Sequence, residues 1–101
     1  MVHVVFAIPF AAENTQRFAR AAASLPGVKL SVVTQDPKAR FPADFLDLLA
    51  GFEQVPDALS ADDLVRGVQA LTQRLGPAER LLGILEPLQE PLAVVRERLH
   101  I

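Results

Sequence analysis

Few side chains in this sequence have the type and spacing that chemistry requires, and the carboxylate of Glu86 is the most suggestive of them. It follows the apolar run Leu81–Leu85 and precedes a proline-bounded turn that contains Gln89. A carboxylate directly after a buried strand can face a ligand. It can also lie in solvent and accept hydrogen bonds from the amides of the next turn. Both interpretations of Glu86 stay open at this point.

A second group of candidate residues follows the first apolar run of the chain. Pro9 and Phe10 end that run, and Glu13 and Asn14 stand where a helical pattern begins. Polar residues at a helix start satisfy free backbone amides and favour the helix dipole, which explains Glu13 and Asn14 well. A ligand-facing role is the alternative for Glu13. Two arginines on the polar face of the same helix, Arg17 and Arg20, are explained by solvation.

Several kinds of site are excluded by what the sequence lacks. It has no cysteine, so it has no disulfide, no thiol nucleophile and no cysteine metal ligand. The first turn, PFAAEN, contains no glycine, and no GxxxxGK[ST] occurs, which argues against a dinucleotide fingerprint and a P-loop. The first loop also lacks the acidic pair of a phospho-receiver domain. His3 and His100 are far apart in sequence, and we predict a strand-end residue and a surface residue rather than a metal site.

The composition is that of an ordinary globular domain. The chain has 101 residues, of which 50% are hydrophobic and 22% charged, so residues 1–101 are predicted to form one domain. The net charge of -2 and the absence of tyrosine and tryptophan give no support for binding nucleic acid or an anionic membrane. The apolar N-terminal run is too short to span a bilayer. We therefore expect a cytoplasmic protein.

Apolar runs alternate with helical patterns along the chain. The predicted strands are residues 2–8, 28–35, 52–56 and 81–85, and the last helix is predicted to begin near Pro91. The first helix is predicted to begin at a cap on Asn14 or Thr15 and to bury a stripe made of Phe18, Ala21, Ala22 and Leu25. A short helix is predicted after Phe41, with Pro42 as its first residue, and a longer one after the N-cap Ser60, with Asp63 completing a capping box.

This alternation predicts an α/β domain with a four-stranded parallel sheet and helices on both faces. Right-handed crossovers leave few strand orders, of which we favour 3-2-1-4. Ligands bind such sheets beyond the carboxyl ends of the strands, where the winding direction reverses. The predicted crevice therefore lies between the first and fourth strands. Its candidate residues are Pro9, Phe10, Glu13, Glu86 and Gln89.

Three segments, VVFAIPF, TQRFARAAASLPGVKLSVVTQDP and RLLGILEPLQEPLAVVRERLHI, resemble the N-terminal preATP-grasp domain of ATP-grasp carboxylate–amine ligases. The resemblance covers essentially the whole chain and implies a three-layer Rossmann-like fold. Such enzymes use ATP and Mg²⁺ to convert a carboxylate into an acyl phosphate, which an amine then attacks. By this resemblance the preATP-grasp domain helps form the substrate side of the active site, near Pro9, Phe10, Glu86 and Gln89.

The resemblance also implies what the chain does not hold. The catalytic ATP-grasp domain, with its nucleotide and metal ligands, is expected outside these 101 residues, so the chain alone is expected to be inactive. Its partners would be the remaining domains of the parent protein, and an exposed docking surface would favour a homodimer. The alternative is a stand-alone Rossmann-like module that binds a small ligand or another protein.

Overall fold

The computed structural model describes residues 1–101 and contains four strands that alternate with helices. The alternation predicted from the sequence is confirmed. Two single-turn 3-10 helices, at Lys38–Arg40 and Glu86–Leu88, lie in the connections. The strands and α-helices are β1 Val2–Ala7, α1 Glu13–Ala23, β2 Val28–Thr34, α2 Ala43–Asp47, β3 Gly51–Gln54, α3 Ala61–Leu75, β4 Arg80–Leu82 and α4 Gln89–Leu99.

The strands form one parallel sheet in the order β3-β2-β1-β4. β1 lies opposite β2 over its full length, with Val2 beside Val28 and Ala7 beside Val33. β4 pairs with β1 over three residues only, from Val4–Arg80 to Phe6–Leu82. The predicted α/β class, the parallel sheet and the strand order 3-2-1-4 are all confirmed, and the architecture is Rossmann-like.

Two hydrophobic cores cover the two faces of the sheet. Alternate residues of the central strands supply each core, because successive side chains of a strand point to opposite faces. Val4, Phe6 and Val32 pack with Phe45 of α2 and Ala19 of α1. On the other face, strand residues pack with α3 and α4, and the shared core consists of Val5, Ala7, Val33, Leu64, Val68, Leu71, Leu81, Leu92 and Val95, among others. The helices therefore lie on both faces of the sheet, as predicted.

The predicted buried face of α1 is wrong except at Ala22, which is partly buried and packs against the core. Phe18 and Leu25 are 56% and 57% exposed, whereas Thr15, Gln16 and Ala19 are buried. The small side chain of Ala19 is fully buried and lets the helix approach the sheet closely. The predicted cap is also wrong, because the residue at the N-cap is Ala12, which forms no side-chain capping hydrogen bond.

β4 is shorter than predicted because the chain leaves the sheet at Gly83. A Cβ atom there would lie 2.8 Å from Leu92 Cδ1 and 2.9 Å from Leu88 Cδ1, so any larger residue would require both leucine side chains to shift. Pro91 does not begin α4 but lies in its first turn, since the helix starts at Gln89. β3 likewise spans residues 51–54 rather than 52–56.

The start of α3 confirms the predicted N-cap at Ser60, whose hydroxyl accepts a hydrogen bond from the Asp63 amide. The capping box itself does not form, because the Asp63 carboxylate accepts from the Asp57 amide at 2.9 Å and pairs with Arg66. Pro42 is an N-cap rather than the first residue of α2. No helix of the protein is both long enough and apolar enough to cross a bilayer.

His3 is the second residue of β1, so its predicted position near a strand end is confirmed, and its side chain is buried. Its ring is held by the Gly76 carbonyl, 2.9 Å from Nδ1, and by the Ser31 hydroxyl, 2.7 Å from Nε2. A carbonyl only accepts, so Nδ1 donates to Gly76. His3 thus joins β1 to β2 and to the end of α3.

Candidate functional site

The loop between β1 and α1 is fixed by the end of β2. The Asp36 carboxylate accepts a hydrogen bond from the Ala11 amide at 2.8 Å. The carbonyl of Pro9 accepts from the Gln35 amide at 3.3 Å and from the Thr34 hydroxyl at 3.4 Å. Pro9, a predicted site residue, is buried, and what it offers at this edge is a backbone carbonyl that anchors the loop.

Phe10 lies next in this loop, and its side chain is 44% exposed. The Ala12 amide donates to the Phe10 carbonyl at 2.6 Å, which closes a tight turn before α1. The turn directs the chain into the helix and leaves the aromatic ring partly in solvent. Phe10 is therefore available for contact with another molecule at the carboxyl edge of the sheet.

Glu13 lies at the start of α1, beside a depression that the sequence did not predict. The depression has a volume of about 460 Å³ and is formed by α1 and the loop that leads to α2. We call it the arginine depression, after the three arginines among its lining residues, which are Ala11, Glu13, Gln16, Arg17, Arg20, Arg40 and Pro42. It lies at the same edge of the sheet as the predicted crevice, on the β1–β2 side.

The three arginines differ in their partners. Arg20 donates to the Asp44 carboxylate at 3.0 Å, and its guanidinium lies 5.4 Å from the centre of the Phe45 ring. The hydrogen bond and the positive charge of Arg20 lower the pKa of Asp44 below its ordinary value of 3.8. Arg17 and Arg40 are exposed and form no ion pair with an acidic side chain. Two guanidinium groups at this site are therefore free of a direct ion pair, although Glu13 lines the same depression.

Gln16 forms part of the wall of the same depression. It is only 8% exposed, and no hydrogen bond within the chain reaches its side-chain amide. The oxygen and nitrogen of the Gln16 amide reach solvent, because they are not among the buried polar atoms that lack a partner. Its neighbour Thr15 has a buried hydroxyl without a hydrogen-bond partner.

The two predicted site residues after β4 lie in a different environment. The Gln89 amide nitrogen donates to the carbonyls of Leu85 at 2.9 Å and Gly83 at 3.2 Å, so this side chain stabilises the turn before α4. Glu86 is exposed, and its carboxylate accepts no hydrogen bond from the turn. Neither residue lines the arginine depression, and no hydrogen bond joins either of them to residues 9–13.

The sequence pattern does not identify Gln16 and Arg40 as members of a site. Arg17 and Arg20 have the spacing of one helix face, which solvation alone explains at the level of sequence. Arg40 lies in the Lys38–Arg40 turn after β2, and nothing in its spacing connects it to α1. Only the folded chain brings these side chains around one depression.

The structure contains no candidate metal site. No group of three or more histidine, aspartate or glutamate side chains lies close enough together to hold a metal ion. Arg96 of α4 donates to the Leu81 carbonyl at 3.1 Å and thereby connects α4 to β4. A search among protein-family models and another among curated proteins both found no match to this chain.

Proposed function

We propose that this chain is the N-terminal preATP-grasp domain of an ATP-dependent carboxylate–amine ligase, where it helps form the substrate side of the active site. On this proposal it does no chemistry alone. ATP and Mg²⁺ are bound by the catalytic ATP-grasp domain of the parent protein. The chain itself supplies a rigid wall at the carboxyl edge of its sheet.

The observation that carries the proposal is the segment LLGILEPLQEPLAVVRERLHI, which resembles the end of preATP-grasp domains. In the structure this segment forms the end of β4, the turn at Glu86–Leu88 and α4. A Rossmann-like sheet with the winding reversal between β1 and β4 is the architecture that the resemblance implies. The fold thus supports the proposal at the level of architecture.

Exposed apolar side chains near the carboxyl ends of β1 and β4 also support it. Phe10, Leu82 and Ile84 are 44%, 38% and 39% exposed. β4 is an edge strand with three paired residues, so one of its sides has no neighbouring strand. We propose that the remaining domains of the ligase cover this surface, and that the isolated chain self-associates through it.

The test compares the 101-residue chain with the longest polypeptide that its source gene encodes. Both are heated with and without ATP and Mg²⁺, and the melting temperature is recorded. We expect the ligands to raise the melting temperature of the longer polypeptide, because binding to the native state alone stabilises it, and to leave the short chain unchanged. A longer polypeptide that shows no response to ATP with Mg²⁺ contradicts the proposal.

The second candidate function is a stand-alone module that binds a small molecule, and the arginine depression favours it. A volume of about 460 Å³ is within the range of small-molecule sites. The source gene distinguishes the two functions. A reading frame confined to these residues would favour the module, provided that the chain alone also binds a ligand.

A further inference from the structure

We propose that the outer edge of β4 is a strand-docking surface for a second copy of this chain, and that Arg96 and Gln89 of α4 keep this surface closed. The inference concerns the present chain alone, so it goes beyond the ligase proposal and does not rest on it. Two observations carry it. Side chains of α4 occupy the backbone carbonyls along this edge, and the exposed side chains of the edge match those of a second, antiparallel copy in charge.

The backbone groups of Leu81 point away from β1. The amides of Val2 and Ile8 donate toward β2, so the even-numbered residues of β1 bond to β2 and the odd-numbered residues face β4. Val5 is therefore a residue that bonds to β4, and Leu81 lies opposite it. In a parallel pair, the residue opposite a bonding residue turns its own N–H and C=O outward. The Leu81 carbonyl thus lies on the free edge of the sheet.

Side chains of α4 occupy the carbonyls along this edge. The Arg96 guanidinium donates to the Leu81 carbonyl from Nε at 3.1 Å and from Nη2 at 2.5 Å. Farther along, the Gln89 amide nitrogen donates to the carbonyls of Leu85 at 2.9 Å and Gly83 at 3.2 Å. An open edge strand invites pairing with another chain, and proteins commonly cover such edges. A second strand can approach this one only when both side chains move aside.

The side chains along the edge alternate between the interior and solvent. Leu81 is buried, and Gly83 and Leu85 are half-buried. The backbone of Leu85 is still extended, so the alternation continues past the end of β4. The exposed residues between these positions and at the two ends are Arg80, Leu82, Ile84 and Glu86. Two apolar side chains are therefore flanked by one positive and one negative charge.

This arrangement fits a second copy of the same edge. Two identical edges related by a two-fold axis run antiparallel, and each contact between them occurs twice. With the axis at Gly83, Arg80 of one copy lies opposite Glu86 of the other, and Leu82 lies opposite Ile84. Opposite charges and apolar side chains directly across antiparallel strands stabilise the pair. No like charges face each other in this register.

The experiment opens the edge with the double variant Arg96→Met and Gln89→Met, which keeps side-chain bulk and removes the donors. Sedimentation velocity measures association, and hydrogen–deuterium exchange measures the protection of the amides of residues 81–85. We expect the opened variant to associate at least about tenfold more tightly than the native chain, and these amides to become protected as the concentration rises. Exposed apolar side chains can also hold copies together without this edge, so the amide protection identifies strand pairing.

A charge reversal tests the register. Arg80→Glu added to the opened variant places like charges opposite each other and should raise the dissociation constant about tenfold. Adding Glu86→Arg as well should restore it. The matched control is Arg98→Met, which removes an arginine of the same helix that pairs with Asp62 of α3 instead of with β4. This control should leave both association and amide exchange unchanged.

The inference is overturned if the opened variant stays folded by circular dichroism but neither associates more tightly nor gains amide protection. Equal association of Arg98→Met also overturns it, because the effect then does not come from the edge. If the double variant does not fold, Arg96→Met alone opens the edge at Leu81 and is held to the same outcomes. None of these results bears on the response of the longer polypeptide to ATP, by which the ligase proposal is judged.

Discussion

At the scale of single residues, two buried threonines show that the contribution of a hydroxyl to stability depends on its hydrogen-bond partners. Thr15 on α1 has a buried hydroxyl without a partner. The hydroxyl of Thr34, at the end of β2, donates to the Pro9 carbonyl at 3.4 Å and accepts from the Asp36 amide at 3.1 Å. The first hydroxyl is desolvated without compensation, and the second organises the loop that leads to the arginine depression.

The same isosteric change should therefore have opposite effects at these two positions. We expect Thr15→Val to raise the free energy of unfolding by about 1 kcal/mol, because it removes an unsatisfied buried hydroxyl. Thr34→Val should lower it by about 1–3 kcal/mol, because the Asp36 amide then loses its acceptor. Urea denaturation of both variants measures the difference. A loss of stability in Thr15→Val would contradict the described environment of that hydroxyl.

Some residues of the candidate site could be predicted from the sequence, and others could not. Glu13 was a sequence candidate, and it does line a depression. Gln16 and Arg40 gave no signal, because one was an ordinary polar residue of a helix and the other a residue of a turn. Their proximity depends on how α1 rotates against the sheet and how the loop after β2 folds back. Neither is encoded in local spacing.

At the scale of elements, strands were easier to predict than helix faces. Continuous apolar runs predict strands covered on both sides, and the alternation with helices leaves few strand orders, so the sheet followed directly. The buried face of α1 was wrong because alanine carries little hydrophobic signal, and the stripe through Phe18 looked stronger than the one through Ala19. The length of β4 depends on the approach of Leu88 and Leu92 to Gly83, which is a tertiary contact.

The same kind of close approach occurs in α3, at Gly67. A Cβ atom there would lie 2.6 Å from Val33 Cγ2 and 2.9 Å from Val55 Cγ1. Alanine is the better helix former by about 1 kcal/mol, but overpacking costs about 1–3 kcal/mol, so we expect Gly67→Ala to lower the unfolding free energy. The matched control is Gln73→Ala at an exposed position of the same helix, which should have little effect. Equal stability of Gly67→Ala and the native chain would show that α3 can shift away from the sheet.

At the scale of the whole molecule, one ion pair joins the helices on each face of the sheet. Arg20 of α1 pairs with Asp44 of α2, and Arg98 of α4 pairs with Asp62 of α3 at 2.6 Å. In each pair the hydrogen bond from the arginine and its charge lower the pKa of the aspartate below 3.8. All four side chains are partly or largely exposed, so solvent and salt weaken both pairs.

These lowered pKa values predict how stability depends on pH. The unfolded chain binds protons at the two aspartates at higher pH than the folded chain does, so stability rises with pH in this range. The contribution is complete above the unfolded pKa near 3.8 and is lost as the pH falls through the lower folded values. We expect the variant with both Asp44→Asn and Asp62→Asn to lose less stability than the native chain on acidification below about pH 4. Melting temperatures across that range test this, with Asp47→Asn, which forms no ion pair, as the control.

The division of the interior into two cores has a consequence for how the chain folds during its synthesis. Every buried residue of the core beneath α1 and α2 comes from the first 45 residues, from Val4 to Phe45. The opposite core needs Leu81, Leu92 and Val95, which are synthesised after every buried residue of the first core. Because β4 pairs with residues of β1 that lie far away in the sequence, from Val4–Arg80 to Phe6–Leu82, closing that face depends on long-range contacts and is expected to be slower. We therefore expect a nascent chain of this protein to complete the face under α1 and α2 first, and to expose apolar side chains of the opposite face until α4 has been synthesised.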